Sequence, residues 1–245
     1  MSTTIKTATL AQTVGGKAYN HQIAYDSALT ARRPAVVVFP EWWGHNAHVK
    51  QRAQAIAALG YVGVAVDVYG DGREAADATE AGSLMGGLFG DLPGTNARIA
   101  GLVEMLQGLP QVDPTRLGAM GYCLGGALSL HAARLGLPLR GVASFHGALS
   151  KAHAARPGDL KAAVLVCHGG ADKLVSLDEL ANFHREMSEL GADLTFISYP
   201  GALHGFTNPE ATEKGRKFSL PLAYDEPTDR RSWSDMQLFW KRVFA

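Results

Sequence analysis

The residue with the clearest chemical potential is Cys123, which lies between Gly121 and Gly125 in the run GYCLGG (121–126). An apolar stretch precedes this run and a helix-compatible stretch, 127–135, follows it. The pattern predicts a strand that turns sharply into a helix with Cys123 at the apex, because side chains at the two glycines would crowd so tight a turn. A thiol on the first turn of a helix meets backbone N–H groups that favour the thiolate. On this motif alone, the alternative is a buried structural cysteine.

Two further polar residues are predicted to follow strands as Cys123 does. Asp172 comes after the strand predicted over 162–167, and His204 after the strand predicted over 194–199. Loops that follow parallel strands open at one edge of a sheet, so the three side chains can converge there. The chain order cysteine, aspartate, histidine is that of the α/β-hydrolase triads, in which the histidine moves the proton and the aspartate orients it. Each residue alone is more commonly a turn or surface residue, but their conjunction predicts a triad.

A hydrolase of this kind also needs two backbone N–H groups for the oxyanion. Leu124, directly after the cysteine, is predicted to supply one, and Trp42, in the loop after the strand predicted over 35–39, the other. Glu41 precedes Trp42, and a carboxylate there would oppose developing negative charge unless it is protonated or hydrogen-bonded. From the residues alone, a solvent-facing loop glutamate is the favoured interpretation of Glu41.

Other residues leave alternatives open. Four aromatic residues could form a pocket wall or pack in the core: Trp42, Trp43, Tyr69 and Phe206. His146 follows the strand predicted over 141–145. It could line the pocket or be a hydrogen-bonded histidine in the core. His45 and His48 are three residues apart but lack nearby carboxylates or cysteines, so neither a metal nor another cofactor is predicted.

Composition bounds the protein class. The 245 residues suit one domain, 1–245, and 23 Lys and Arg balance 23 Asp and Glu, which argues against nucleic acid and anionic membranes as partners. Two cysteines provide neither a disulfide framework nor a cysteine zinc site. The polar N-terminus, 1–18, lacks a signal-peptide core, and no apolar run approaches the ~18 residues of a membrane span. A cytoplasmic protein is therefore expected.

Hydrophobic periodicity predicts an α/β fold with a mostly parallel central sheet, helices on both faces and an N-terminal antiparallel edge hairpin. The hairpin is predicted from strands at 5–10 and 21–25 joined at Gly15 and Gly16. Helices are expected over 49–57, 96–107, 127–135, 176–190 and 232–244. Residues 69–94 are expected to form an excursion with a short helix or two over the site, and 209–231 a Pro-broken, solvated wrap.

At these motifs the chain resembles the dienelactone hydrolase (carboxymethylenebutenolidase-like) family. The similarity spans about residues 20–245 and rests on PEWWG (40–44), DVY (67–69), GYCLGG (121–126), HGGAD (168–172) and HGF (204–206). The resemblance implies that Cys123, Asp172 and His204 form the triad and that Trp42 and Leu124 supply the oxyanion hole. It also implies that Glu41 hydrogen-bonds the resting thiol and then helps to generate the thiolate.

The sequence departs from the family at the substrate carboxylate. The two arginines that hold this carboxylate in the dienelactone-opening enzymes correspond here to Asp71 and Asn208, with Arg73 as a nearby substitute. We therefore expect a monomeric or homodimeric cysteine hydrolase that cleaves small esters or lactones, neutral ones at least as well as acids, through an acyl-thioenzyme. The predicted substrate contacts are Trp43, Tyr69, Arg73, Tyr122, His146 and Phe206. The alternative is a non-catalytic relative that binds a small ligand and carries a redox-sensitive thiol.

Overall fold

The computed structural model describes residues 4–245, so residues 1–3 of the predicted polar N-terminus lie outside it. Its strands are β1 (Ile5–Val14), β2 (Lys17–Asp26), β3 (Arg33–Phe39), β4 (Val62–Ala65), β5 (Val112–Tyr122), β6 (Gly141–Phe145), β7 (Ala163–Gly169) and β8 (Leu194–Tyr199). Its helices are α1 (Ala47–Ala58), α2 (Ala78–Gly90), α3 (Leu92–Gln107), α4 (Leu124–Arg134), α5 (Leu177–Glu189), α6 (Ala211–Phe218) and α7 (Glu226–Val243).

The strands form one eight-stranded sheet in the order β1-β2-β4-β3-β5-β6-β7-β8. Strands β4, β3, β5, β6, β7 and β8 are parallel to one another, whereas β2 pairs antiparallel with both β1 and β4. All seven residues of β3 are buried, as expected for a β-branched strand covered on both faces. The predicted α/β architecture with an antiparallel edge hairpin is therefore confirmed.

Helices cover both faces of the sheet, and alternate residues of β3 separate the two cores. Val37 and Phe39 pack in the core beneath α3, α4 and α5, whereas Val36 and Val38 pack in the core beneath α1 and α7. This alternation is the two-residue period of a strand. Within residues 4–245, no helix has the length and apolar character needed to cross a membrane.

The hairpin is longer than predicted because its strands continue to the turn. Gly15 and Gly16 both have positive φ, at 58° and 78°, which suits the mirror-image turns of tight hairpins. Pairing then runs from Val14↔Lys17 to Ile5↔Asp26. Most of β1 is exposed, so hydrophobic alternation marks only part of the strand.

Two helices, α3 and α7, begin four or more residues earlier than predicted, and α6 lies where a solvated wrap was expected. Helix α3 begins at Leu92 rather than 96, because the Asp91 carboxylate accepts from Gly94 N at 3.0 Å. Helix α7 begins at Glu226 rather than 232, with Pro227 in its first turn. A proline there costs no helical hydrogen bond, so the prediction of a Pro-broken segment was wrong.

Candidate active site

Cys123 stands at the junction of β5 and α4 in a strained conformation, with φ 52° and ψ −115°. The flanking glycines allow the junction. A Cβ at Gly121 would lie 2.3 Å from the backbone of Gly125, and a Cβ at Gly125 would lie 2.3 Å from the carbonyl oxygen of Phe39. The turn thus presses α4 against β5 and β3, and Cys123 is left at the edge of the sheet at the N-terminus of a helix.

Asp172 and His204 follow β7 and β8 and are hydrogen-bonded to each other. The Oδ2 of Asp172 lies 2.8 Å from Nδ1 of His204, and its Oδ1 accepts from Leu174 N, also at 2.8 Å. Both side chains are buried. Among the described residues, Nε2 of His204 has no hydrogen-bond partner, so the outer nitrogen of the imidazole is free for proton transfer.

The electrostatics of His204 suit an ion pair with a thiolate. Burial by itself would lower the pKa of His204, but the negative charge of ionised Cys123 and the hydrogen bond with Asp172 outweigh it and raise that pKa to about 10. Burial raises the pKa of the second thiol, Cys167, to about 12 and leaves it out of contact with solvent. Cys123 is therefore the thiol placed to react.

A cavity of about 330 Å³ opens onto these residues. Three of its lining side chains are titratable, namely Glu41, Cys123 and His204. The other lining residues are Trp42, Trp43, Met85, Phe89, Leu124, Ala127, Ala148, Leu174, Leu220 and Leu222. No arginine or lysine of residues 4–245 belongs to this lining. The cavity is thus largely apolar, with three titratable side chains in its lining.

The two residues predicted to donate to the oxyanion, Leu124 and Trp42, line this cavity. Leu124 is the first residue of α4, and Trp42 belongs to the loop after β3. Hydrogen bonds fix this loop, since the Tyr69 hydroxyl donates to Trp42 O at 2.8 Å and Ala75 N donates to Trp43 O at 2.8 Å. In the described part of the chain, neither the Leu124 nor the Trp42 amide donates to a protein acceptor. Both N–H groups are available to a substrate oxygen.

Glu41 is buried, and the solvent-facing interpretation made from the residues alone was wrong. Its side chain lines the cavity, is 6% exposed, and accepts from Asn208 Nδ2 at 2.5 Å. Asn208 is itself held, because its Oδ1 accepts from Glu210 N at 2.9 Å. Burial raises the pKa of Glu41, although Asn208, His204 and Lys214 oppose the shift. Its hydrogen-bond donor is Asn208 rather than the resting thiol.

Of the six predicted substrate contacts, Trp43 lies in the cavity lining and the others do not. Tyr122 points into the core, where its ring stacks on Phe145 at 5.0 Å, and Phe206 is completely buried. Tyr69 holds Trp42 from behind, as described above. Arg73 is half-exposed and pairs with Glu80.

His146 lies behind the nucleophile rather than in the cavity. Its Nδ1 is 3.2 Å from the Cys123 backbone nitrogen, which donates to it, and its Nε2 is 2.8 Å from the Thr207 hydroxyl. The ring packs against that of His204, with centroids 5.1 Å apart. Burial, reinforced by the nearby His204 charge, lowers the pKa of His146 well below its ordinary value. His146 is a neutral ring that positions both catalytic candidates.

Several cavity residues were not identified from the sequence. Met85 and Phe89 come from α2, in the stretch that was predicted to cover the site without a residue being chosen. Leu220 and Leu222 follow α6, and Leu222 forms an isolated β-bridge with His204. Nothing in the local pattern of 219–224 indicates this bridge, because it depends on where β8 ends.

A cysteine at a strand-to-helix elbow, with an aspartate and a histidine after later parallel strands, defines an α/β-hydrolase. The dienelactone hydrolase family model matches residues 23–244, and the chain belongs to that family. With that membership it is a carboxylic ester hydrolase.

Similar solved structures extend over nearly the whole chain. The structure of the dienelactone hydrolase-like promiscuous phosphotriesterase P91 from metagenomic libraries is 33% identical, with a TM-score of 0.91 over 98% of this chain and 99% of that one. The structure named m3DLH is 35% identical, with the same TM-score and coverage. The uncharacterized protein K02A2.1 of Caenorhabditis elegans is 37% identical over 60% of this chain and 93% of its own length.

Proposed function

We propose that the chain hydrolyses small esters or lactones through a thioester on Cys123, with His204 and Asp172 completing a triad. The observation that carries the proposal is the 2.8 Å pair of His204 Nδ1 and Asp172, which leaves Nε2 free in the cavity that Cys123 lines. A base held by one nitrogen and open at the other is what proton transfer at a nucleophile requires.

The steps follow from these positions. The Cys123 thiolate attacks the carbonyl carbon, and the Leu124 and Trp42 amides hold the oxyanion. As the carbon–oxygen bond breaks, His204 Nε2 gives its proton to the departing alkoxide, and a thioester remains. A water molecule then gives a proton to His204 Nε2 and attacks the thioester carbon. The acid leaves, and the thiolate and imidazolium are restored.

A pre-steady-state assay with 4-nitrophenyl acetate tests this mechanism. We expect a burst of nitrophenol and, in quenched enzyme, added acetyl mass on Cys123. Asp172→Ala and His204→Ala should each reduce turnover by several orders of magnitude, and the double variant little further, because triad members act as a unit. Additive losses, or no acylation of Cys123, would favour a ligand-binding relative with a redox-sensitive thiol.

The substrate class that fits the cavity is neutral. A buried carboxylate needs a fixed cation, usually an arginine. Arg73 is engaged by Glu80, and Asn208, at the family's second arginine position, donates to Glu41. Glu41 itself would repel an anionic substrate if ionised. A missing charge-assisted hydrogen bond costs about 1.5–3 kcal/mol, or about one to two powers of ten in kcat/KM.

Comparison of a carboxylated lactone with its methyl ester tests the substrate class. We expect kcat/KM to be at least as high for the methyl ester. A hundredfold preference for the free acid would show that a cation reaches the cavity when substrate binds. Arg73→Ala then identifies the source, since loss of that preference would assign the role to Arg73.

A second candidate activity is hydrolysis of neutral phosphotriesters. The relative P91 carries this activity in its name, and a largely apolar cavity whose lining has no arginine or lysine suits a triester, which bears no charge. Attack by the Cys123 thiolate on phosphorus would expel nitrophenolate from diethyl 4-nitrophenyl phosphate and leave a phosphorylated thiol that water must cleave. Repeated turnover supports this activity. A single burst with stable diethyl phosphoryl mass on Cys123 would instead make the triester an inhibitor.

A further inference from the structure

We infer that a groove beyond the catalytic cavity receives the far end of the substrate's acyl chain, an inference that rests on the proposed ester hydrolysis. The groove has a volume of about 270 Å³. Phe89, Ala127 and Ala148 belong to the linings of both spaces. The shared residues make the two spaces neighbours, and we expect a chain that passes the partly exposed Phe89 to leave the cavity and enter the groove.

Helix α4 carries the path from one space to the other. Cys123 caps the helix, Leu124 and Ala127 face the cavity, and Ala127, Leu128 and His131 face the groove. Residues three and four apart share one face of a helix, so these positions form a continuous wall. At 1.5 Å per residue, His131 lies about 12 Å along the axis from Cys123. An extended chain spans about 3.3–3.6 Å for three bonds, so about ten bonds cover this distance.

The charges around the groove favour an uncharged occupant. The Arg134 guanidinium is engaged by Glu186, with contacts of 3.0 and 2.8 Å. Burial lowers the pKa of His131 to about 4, so this ring is neutral at pH 7. Lys151 lies at the exposed edge. Five aliphatic or aromatic lining residues form one stretch that runs on from the cavity, namely Phe89, Leu92, Ala127, Leu128 and Ala148. The buried Leu128 lies at its base and Phe89 is partly exposed, while Thr95 and Ser150 add uncharged hydroxyl groups. The class of occupant is therefore a medium-length alkyl chain.

The chemistry assigns this groove to the acyl part rather than to the alcohol. His204 Nε2 must reach the leaving oxygen, so the alcohol lies on the His204 side of the thiol. On that side the cavity wall contains Leu222, which is bridged to His204. The acyl chain is left with the wall formed by Phe89 and Ala127, which is the wall that continues into the groove.

Two series of esters test the inference. In 4-nitrophenyl esters from acetyl to decanoyl, we expect kcat/KM to rise about two- to fourfold for each methylene that enters the groove, up to about eight to ten carbons. In acetate esters of straight-chain alcohols of the same lengths, kcat/KM should level off earlier. A maximum at butyryl or shorter, or a length dependence confined to the alcohol series, would overturn the inference.

A matched pair of variants separates the groove from general hydrophobicity. Ala152 lines the groove from an exposed loop, and Ala154 is exposed in the same loop but outside the lining. Ala152→Trp should reduce the decanoyl-to-acetyl ratio of kcat/KM at least tenfold, whereas Ala154→Trp should keep the wild-type ratio. Equal ratios in the two variants would overturn the inference. Absence of any Cys123-dependent cleavage of the acetyl ester would instead remove the proposed function itself.

Discussion

Two features of the structure bear on the Cys123 side chain: the positive φ of its backbone and the electrostatic surroundings of its thiol. The positive φ is held by glycines that permit close backbone contacts, and the apex projects toward a cavity with few titratable groups. A thiolate and an imidazolium in such surroundings interact more strongly than they would in water. The ion pair of the proposed mechanism would therefore depend on the shape of the elbow as much as on the two residues.

Cys123 should be alkylated before Cys167. Burial raises the pKa of Cys167 to about 12 and removes it from solvent, whereas Cys123 is partly exposed beside His204. Brief iodoacetamide treatment at pH 7, followed by peptide mapping, should place the modification on Cys123. The His204→Ala variant should react more slowly at this pH because its thiol has lost the imidazolium. Preferential labelling of Cys167 would contradict the assignment.

Glu41→Gln should stabilise the fold at neutral pH. Burial raises the pKa of Glu41, so the folded chain binds this proton more tightly than the unfolded chain, and stability falls as pH rises from about 4.3 through the raised pKa. Glutamine can still accept from Asn208 and carries no charge. We expect Tm at pH 8 to rise by roughly 2–4 °C, the effect of about 1 kcal/mol in a chain of this size. The gain should disappear at pH 4, and a gain independent of pH would exclude titration of Glu41 as its cause.

Asn208→Leu tests whether Glu41 takes part in turnover. The hydrogen bond from Asn208 lowers the pKa of Glu41, so its removal should raise that pKa. If turnover uses the ionised carboxylate, the acid limb of kcat/KM should move to higher pH. The shift should be absent when Asn208→Leu is made in a Glu41→Gln background. The same shift in both backgrounds would mean that Asn208 acts elsewhere.

The triad residues could be proposed from the sequence because each follows a predicted strand in a known chain order. Glu41 could not be placed, because its partner Asn208 lies 167 residues away and no local pattern links them. Tyr122 directly precedes Cys123, and Phe206 comes two residues after His204, yet both side chains are buried in the core. Adjacent residues of a strand face opposite sides of a sheet, so proximity along the chain is a poor guide to the cavity.

At the scale of elements, the elbow depends on three segments that touch through backbone atoms. Gly125→Ala would place a methyl group 2.3 Å from the Phe39 carbonyl and force α4 away from β3. We expect a loss of about 3 kcal/mol or more, measured by urea unfolding. Gly86→Ala, in α2, meets no atom within 4 Å and should stabilise by about 0.5–1 kcal/mol. Similar effects at the two sites would contradict the steric explanation.

The parallel strands were predictable to within a few residues because buried β-branched runs identify them. The helix starts were less predictable. Asp91 and Pro227 both lie where a helix begins, but in sequence an aspartate or a proline is equally compatible with a loop. Tertiary contacts decide between these outcomes, and the contacts of α6 with the loop that carries Leu222 are of this kind.

At the scale of the whole molecule, positive and negative charges are balanced, so electrostatic steering of substrates toward the site is weak. With 23 basic and 23 acidic residues, the chain has no net field to steer a neutral ester, whose approach is governed by diffusion. We expect kcat/KM for 4-nitrophenyl acetate to change less than twofold between 20 and 300 mM NaCl. A steep fall with salt would indicate a local cationic field at the cavity mouth, and the same titration with a carboxylated ester would show its sign.

The composition of α2 has a consequence for the time scale of access to the thiol. This helix contributes Met85 and Phe89 to the cavity wall, yet three of its glycines, Gly86, Gly87 and Gly90, have open space where a Cβ would be. Each glycine costs a helix about 1 kcal/mol relative to alanine. Amide hydrogens of α2 should therefore exchange with solvent well before those of the buried α4. The wall on one side of the nucleophile would then open and reclose while the side that holds the oxyanion stays fixed.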